Sequence, residues 1–275
     1  MTATVNTRVI EANLATAEDI ARLLRSRPEP AARIPGATWS VGEAAAHLAL
    51  ANQLMADLAG GRERPYGDGT PAGLAAANTR SLAAYPERDP AVLADAIVAH
   101  TRAFAQHLAA DRAEPAGDRA DPAAGLSTPM GPMDRDTLAS YLLTHQLGHG
   151  YDIARALRLP HMIDRERVEL SLPFLLTAMP RVVDRRSATG RRLRYTIGLR
   201  GSDRRYGVTL TDGTATVTEH PAPRPDCVII AEPVTFFLLA LGRRTPAQAL
   251  ARGAILAWGR KPWLAPAFPR YFKAP

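Results

Sequence analysis

Leucine, isoleucine and alanine recur at spacings of three and four through residues 8–26, the period of a helix with one apolar face. Pro28, Glu29 and Pro30 break that pattern. A second helix is predicted from "TWSVGEAAAHLALANQLMADLAGG". Ser40 is its N-cap, Glu43 three residues on completes a capping box, and Gly60-Gly61 closes it. A Gly/Pro-rich loop follows over 62–71. Residues 72–84 and 90–111 read as two more helices, set apart by Pro86 and Pro90. Residues 114–133 hold four prolines and three glycines and read as one long loop. Asp134 or Asp136 then caps a last helix, which runs to about 158 and ends at Leu159-Pro160.

After residue 160 the pattern changes. Residues 164–186 suit one further helix that Pro173 and Pro180 break or bend. "RLRYTIGL" and "RYGVTLTDGTATVTEH" alternate apolar and polar positions, and Asp212-Gly213 between two such runs signals a hairpin. "DCVIIAE" is another strand, followed by short helical and strand segments. The expected architecture is therefore an α domain over 1–162 and a smaller α+β domain over 163–275, with no internal repeat.

Composition narrows the classes. Apolar residues make up 46% of the 275-residue chain, which is enough for a packed core, and no apolar run reaches the length of a membrane span. The first twenty residues carry Glu11, Glu18 and Asp19 and no continuous apolar stretch, so no signal peptide is expected and the expected location is the cytoplasm. A single cysteine, Cys227, excludes an internal disulfide and any multi-cysteine zinc site, and in a strand it is expected to be a small core residue. The net charge is +7, nearly all of it arginine, yet the arginines are interleaved with acids and aromatics are only 6%. That argues against nucleic acid as partner and suits a small anionic substrate. No membrane partner is expected, and the chain is expected to be a monomer or homodimer.

Chemistry concentrates in "LLTHQLGHGYDIARAL". His145 and His149 stand four apart on one predicted helix face, the arrangement by which a helix offers two imidazoles to one ion. Two polar residues on a wet face would show the same spacing. A metal needs a third ligand, and His47 is the candidate, because Ala44, Leu48, Ala51 and Leu54 place it on an apolar face of the second helix. A lone inward histidine is also compatible with a hydrogen-bonded core residue. His100 and His107 share a face without other support, and His161 and His220 fall near prolines in loops.

The words around these histidines carry a resemblance. "IPGATWSVGEAAAHLA" and "HQLGHGYDIARAL" resemble the two ligand motifs of the DinB-like and mycothiol-dependent maleylpyruvate isomerase families, over roughly residues 8–160. "PDCVIIAEPVTFFLLALGRRTPAQALARGAILAWGRKPWLAPAF" resembles the C-terminal part of a sterol-carrier-protein-like domain. The resemblance implies a DinB-like four-helix bundle followed by a smaller α+β sterol-carrier-like domain. It also implies a divalent metal, usually zinc, on His47, His145 and His149, and mycothiol as thiol cosubstrate. His145 stands where the isomerases carry a glutamate, which keeps the ligand set but loosens the tie to the isomerase reaction. The implied activity is thiol transfer to, or isomerisation of, a small electrophile. Three ligands leave a fourth position open, as a catalytic rather than a structural site does.

Two further residues enter on the same footing. Asp152, three after His149, either orients that imidazole or pairs with Arg155 on the helix surface. Arg243 or Arg244 either offers a cation to the substrate or is ordinary charge beside a turn. Trp39 is expected to form half of a hydrophobic staple at the second helix. Two other functions remain open from sequence: a non-catalytic binder holding an apolar ligand in its tail, and a metal-assisted hydrolase that uses no thiol.

Overall fold

The computed structural model describes residues 7–26, 28–62, 64–68, 71–113 and 125–273, and the chain divides into two compact units after Ile163. Most of it is helical, with a smaller sheet-containing region in the second unit. Among the described residues no helix is long and apolar enough to cross a membrane.

The first unit holds α1 (Thr7–Arg25), α2 (Val41–Ala59), α3 (Pro71–Ala84), α4 (Pro90–Ala113) and α5 (Arg135–Leu157). The long helices pack in the pairs α1–α4, α1–α5, α2–α4 and α2–α5, while α3 leans on α2. Small residues make this close approach possible. Ala44, Ala45 and Leu48 of α2 are fully buried against Ile20 and Leu24 of α1, Leu93 and Ile97 of α4, and Ile153 of α5. Asp134 caps α5, its carboxylate accepting from the Thr137 N–H at 2.7 Å, and Arg158 ends the helix in a left-handed conformation at φ 56°. The long loop expected over 114–133 needs correction where it is described. Leu126–Thr128 (β1) and Gly131–Met133 (β2) pair as an antiparallel hairpin whose turn is tied by Thr128 Oγ1 donating to Gly131 O at 2.6 Å. Residues 114–124 of that stretch lie outside the described residues.

The second unit holds α6 (Arg165–Ala178), α7 (Arg185–Ala188), β3 (Arg192–Leu199), β4 (Arg205–Thr211), β5 (Thr214–Thr218), β6 (Cys227–Ala231), α8 (Pro233–Ala240), α9 (Pro246–Ala251) and β7 (Ile255–Trp258). Two 3-10 segments, Met179–Val182 and Pro262–Tyr271, complete it. The sheet order is β5-β4-β3-β6-β7, antiparallel except for the β3–β6 pair. Register puts Tyr195, Ile197, Val208, Cys227 and Ile229 on one buried face. Asp212 and Gly213 turn the β4–β5 hairpin with positive φ of 45° and 82°, as the Asp-Gly pair predicts. α6 runs through Pro173 without a break, and Pro180 falls at the change to 3-10. Proline removes one intrahelical N–H, and the buried Val168, Leu172 and Leu175 hold the helix across that gap.

Candidate metal centre

The entry to α2 is fixed before the first histidine is reached. The Glu43 N–H donates to Ser40 Oγ at 3.3 Å and the Ser40 N–H to Glu43 Oε2 at 2.8 Å, the reciprocal pair of a capping box. The preceding turn is tied back by Ile34 N–H to Trp39 O and Val41 N–H to Ala32 O. Trp39 does pack against the apolar core. It also walls the histidines, which the sequence did not show: its ring lies 4.8 Å from that of His47 and is stacked 5.6 Å from that of His149.

His47 of α2 and His145 and His149 of α5 converge. Their ring centroids are 4.8, 4.9 and 4.7 Å apart, a nearly equilateral triangle of imidazoles. One nitrogen from each lies within 4.8 Å of the others, the only such group of three His, Cys, Asp or Glu ligand atoms among the described residues. His47 Nε2 and His145 Nε2 face each other at 2.9 Å. Three nitrogens about 2.0–2.1 Å from a tetrahedral ion lie about 3.3 Å apart, so small side-chain adjustments suffice to meet that geometry.

The donor set fits a divalent ion. His47 is 5% exposed, and burial pushes its pKa down to about 4, which leaves a neutral ring with a lone pair at neutral pH. Its Nε2, turned toward His145 Nε2, is the nitrogen it offers to an ion, while its Nδ1 is buried with no hydrogen-bond partner. Asp152, 8% exposed, places Oδ2 3.7 Å from His149 Nδ1. That distance is beyond a hydrogen bond but is a favourable position for a carboxylate behind an imidazole. Arg155 lies with its guanidinium 5.9 Å over the Tyr151 ring.

Tyr141 was not singled out by sequence. It stands one turn before His145 on the same helix face, is buried, and burial raises its phenol pKa, so it remains protonated. Tyr141, His145 and His149 form an i, i+4, i+8 series, and the electrostatic neighbour of the tyrosine is Tyr66.

The remaining candidates stand outside α2 and α5. Arg243 belongs to the second unit, where its N–H donates to Leu238 O and Nη1 to Leu241 O, at 2.7 and 2.6 Å. Arg244 donates to Thr235 Oγ1 at 2.7 Å. Cys227 is fully buried and its thiol is pushed up to about 11, chiefly by burial, so it serves as core. His107 packs on Gly60 and His100 faces the Asp57 carboxylate; neither joins the triad.

No family model matches the chain, and no curated protein matches it. Among solved structures, a mycothiol-dependent maleylpyruvate isomerase is 16% identical, with 86% of this chain and 89% of that one covered, at a TM-score of 0.45. The sec-alkylsulfatase Pisa1 from Pseudomonas sp. is 14% identical over 51% of this chain, at a TM-score of 0.34; the chain spans only 25% of that protein's length. A UbiJ-SCP2 ubiquinone synthesis protein is 15% identical over 32% of this chain and 69% of its own, at a TM-score of 0.26. All three TM-scores lie below 0.5, so none of these likenesses identifies the chain.

Proposed function

We propose that this chain is a metal-dependent enzyme whose His47, His145 and His149 hold a divalent ion, and that it joins a low-molecular-weight thiol to a small electrophile or isomerises it. The observation that carries this reading is the convergence of three imidazoles from two helices, with the positions 98 residues apart in sequence facing each other at 2.9 Å. The sequence resemblance supplies the finer terms: a DinB-like four-helix bundle for the first unit, zinc as the ion and mycothiol as the thiol. A divalent ion held by three neutral ligands supplies a Lewis-acidic open position at which a thiol is kept as its thiolate at neutral pH.

The chain's own residues prepare that position. Burial keeps His47 neutral, so the ligand nitrogen is available without first losing a proton. The indole of Trp39 covers His47 and His149 and excludes water from that side. Asp152 stands behind His149 and favours the tautomer whose Nδ1 carries hydrogen, leaving Nε2 to donate its lone pair.

Elemental mass spectrometry of the purified protein tests the reading, with His149→Ala measured alongside. About one equivalent of ion in the wild type, lost in the variant while far-UV circular dichroism is unchanged, supports the centre. A wild type that takes up no ion after reconstitution overturns it. A substrate screen with and without thiol then separates thiol chemistry from hydrolysis.

A further inference from the structure

Gln146 stands between two of the histidines in sequence and points the other way. It is fully buried, as are Asn52 of α2 and Thr101 of α4. The Thr101 hydroxyl oxygen accepts from Asn52 Nδ2 at 3.0 Å and from Gln146 Nε2 at 3.0 Å, and it donates to Ile97 O at 2.8 Å. One donor and two acceptor positions are all that a hydroxyl has, so this one is saturated. A single atom on α4 therefore ties together α2, which carries His47, and α5, which carries His145 and His149. Asn52 lies five residues beyond His47, and Gln146 adjoins His145.

This arrangement is costly as a stabilising device. The second atoms of both amides, Asn52 Oδ1 and Gln146 Oε1, are buried without a partner. Apolar residues of the same volume would fill the space without leaving those oxygens unpaired. What the node does provide is register. Sliding α5 by one residue moves its side chains about 1.5 Å along the axis and turns them about 100°, which would disperse three imidazoles that must meet within a few tenths of an ångström. Apolar packing among alanines and leucines tolerates small slips, whereas two hydrogen bonds to one oxygen do not.

We propose that Thr101 is a positioning residue of the histidine centre, fixing α2 and α5 so that the ligand nitrogens are pre-arranged for the ion. The proposal rests on the metal reading given above. Cobalt(II) is the probe, because its visible ligand-field bands report both affinity and coordination geometry without any turnover. Full-length Thr101→Val, with far-UV circular dichroism unchanged, is expected to bind cobalt about tenfold more weakly, with altered bands. Thr101→Ser, which keeps the oxygen, is expected to restore both. Where Thr101→Val does not fold, Gln146→Met removes one of the two bonds at similar volume and should weaken cobalt binding in the same direction. Cobalt binding by a folded variant with wild-type affinity and bands overturns the proposal. If the wild type and His149→Ala alike bind no cobalt, the metal reading falls and the proposal with it; if the wild type binds and Thr101→Val binds equally well, only the proposal falls.

Discussion

The two units treat buried polar groups in opposite ways. In the α+β unit almost every one is answered locally. Asp226, 3% exposed, takes Arg260, Lys261 at 3.2 Å and the Arg194 N–H at 3.0 Å. Glu232 caps α8 by accepting from the N–H groups of Val234 and Thr235. The exceptions are mild: the Tyr195 hydroxyl sits against Tyr271, and the guanidinium of Arg200 is held at its other end by Gly253 O at 2.7 Å. The helical unit instead leaves His47 Nδ1, Asn52 Oδ1, Gln146 Oε1, Asn13 Oδ1 and Thr16 Oγ1 buried without partners. A polar group that is buried and satisfied is part of the architecture; one that is buried and unsatisfied is a cost that something other than stability must offset. The charge is divided too. Residues 1–163 hold 15 basic and 18 acidic residues, and 164–275 hold 19 and 9, so the units carry −3 and +10 of the net +7. The basic pI is thus a property of the unit without the histidine triad.

The sharpest way to break this contrast is His47→Ala. If the three imidazoles of the helical unit form a ligand site, this variant should bind a divalent ion more than about a hundredfold more weakly than the wild type, because losing a ligand exceeds the loss from removing an outer partner. Its helical content should persist, since Ala44, Ala45 and Leu48 still close the core. Isothermal titration with zinc measures the affinity, and an unchanged value would mean that the triad is only packing.

Steric damage to the α+β unit should do the reverse. At Gly207 a Cβ would meet Thr218 Oγ1 at 2.6 Å, His220 O at 2.8 Å and Ala222 N at 2.9 Å, and two of these are backbone atoms that yield little. Gly207→Ala is expected to destabilise the unit by about 1–3 kcal/mol while zinc affinity stays as in the wild type. Two of the three tryptophans, Trp258 and Trp263, lie in this unit, so denaturant titration followed by fluorescence reads its stability.

Asp226→Asn sharpens the contrast through pH. Burial alone would raise this carboxyl, but Arg260, the Arg194 N–H and Lys261 outweigh it and bring the pKa to about 2, from the ordinary 3.8. A lowered folded-state value means that the stabilisation is complete above about pH 4 and drains as pH falls through 2. The group is almost fully buried, yet its partners are in part exposed to solvent, so about 1–2 kcal/mol is the expected size. Between pH 5 and 2 the wild type should lose that much more stability than Asp226→Asn; parallel pH profiles would show that the pairs contribute nothing.

What the sequence could reveal follows the range of the interactions. Periodicity and caps are local, so the helices, the Ser40–Glu43 box, the Asp134 cap and the Asp212-Gly213 hairpin were all legible. The face-sharing of His145 and His149 was legible for the same reason. The three-residue strands at 126–133 were not, because Pro129 and Pro132 outweigh any alternation in so short a run. Pro173 read as a break or a bend because the packing that holds α6 across it is non-local. Trp39 read as a staple because its contact with His149 crosses between helices. Thr101 gave no signal at all: a threonine on a helix is ordinary until Asn52 and Gln146 arrive from two other helices.

The smallest effect bears on that last point. Ser40→Ala removes one capping acceptor and frees Glu43, for about 1 kcal/mol of stability. It lies next to Trp39 and seven residues before His47, closer in sequence to the first ligand than Thr101 is. Yet the path of the chain there is also held by Ile34 N–H to Trp39 O, Val41 N–H to Ala32 O and Gly42 N–H to Pro30 O, none of which needs the serine side chain. Cobalt affinity in Ser40→Ala should therefore fall by less than about twofold even as the denaturation midpoint drops. If it falls as far as in Thr101→Val, general loosening of the helical unit explains both, and register at one buried oxygen has no special part. If the midpoint drops and the affinity holds, stability and ligand placement are separable in this unit, and the second is set by the bonds that tie α2 and α5 to the same atom.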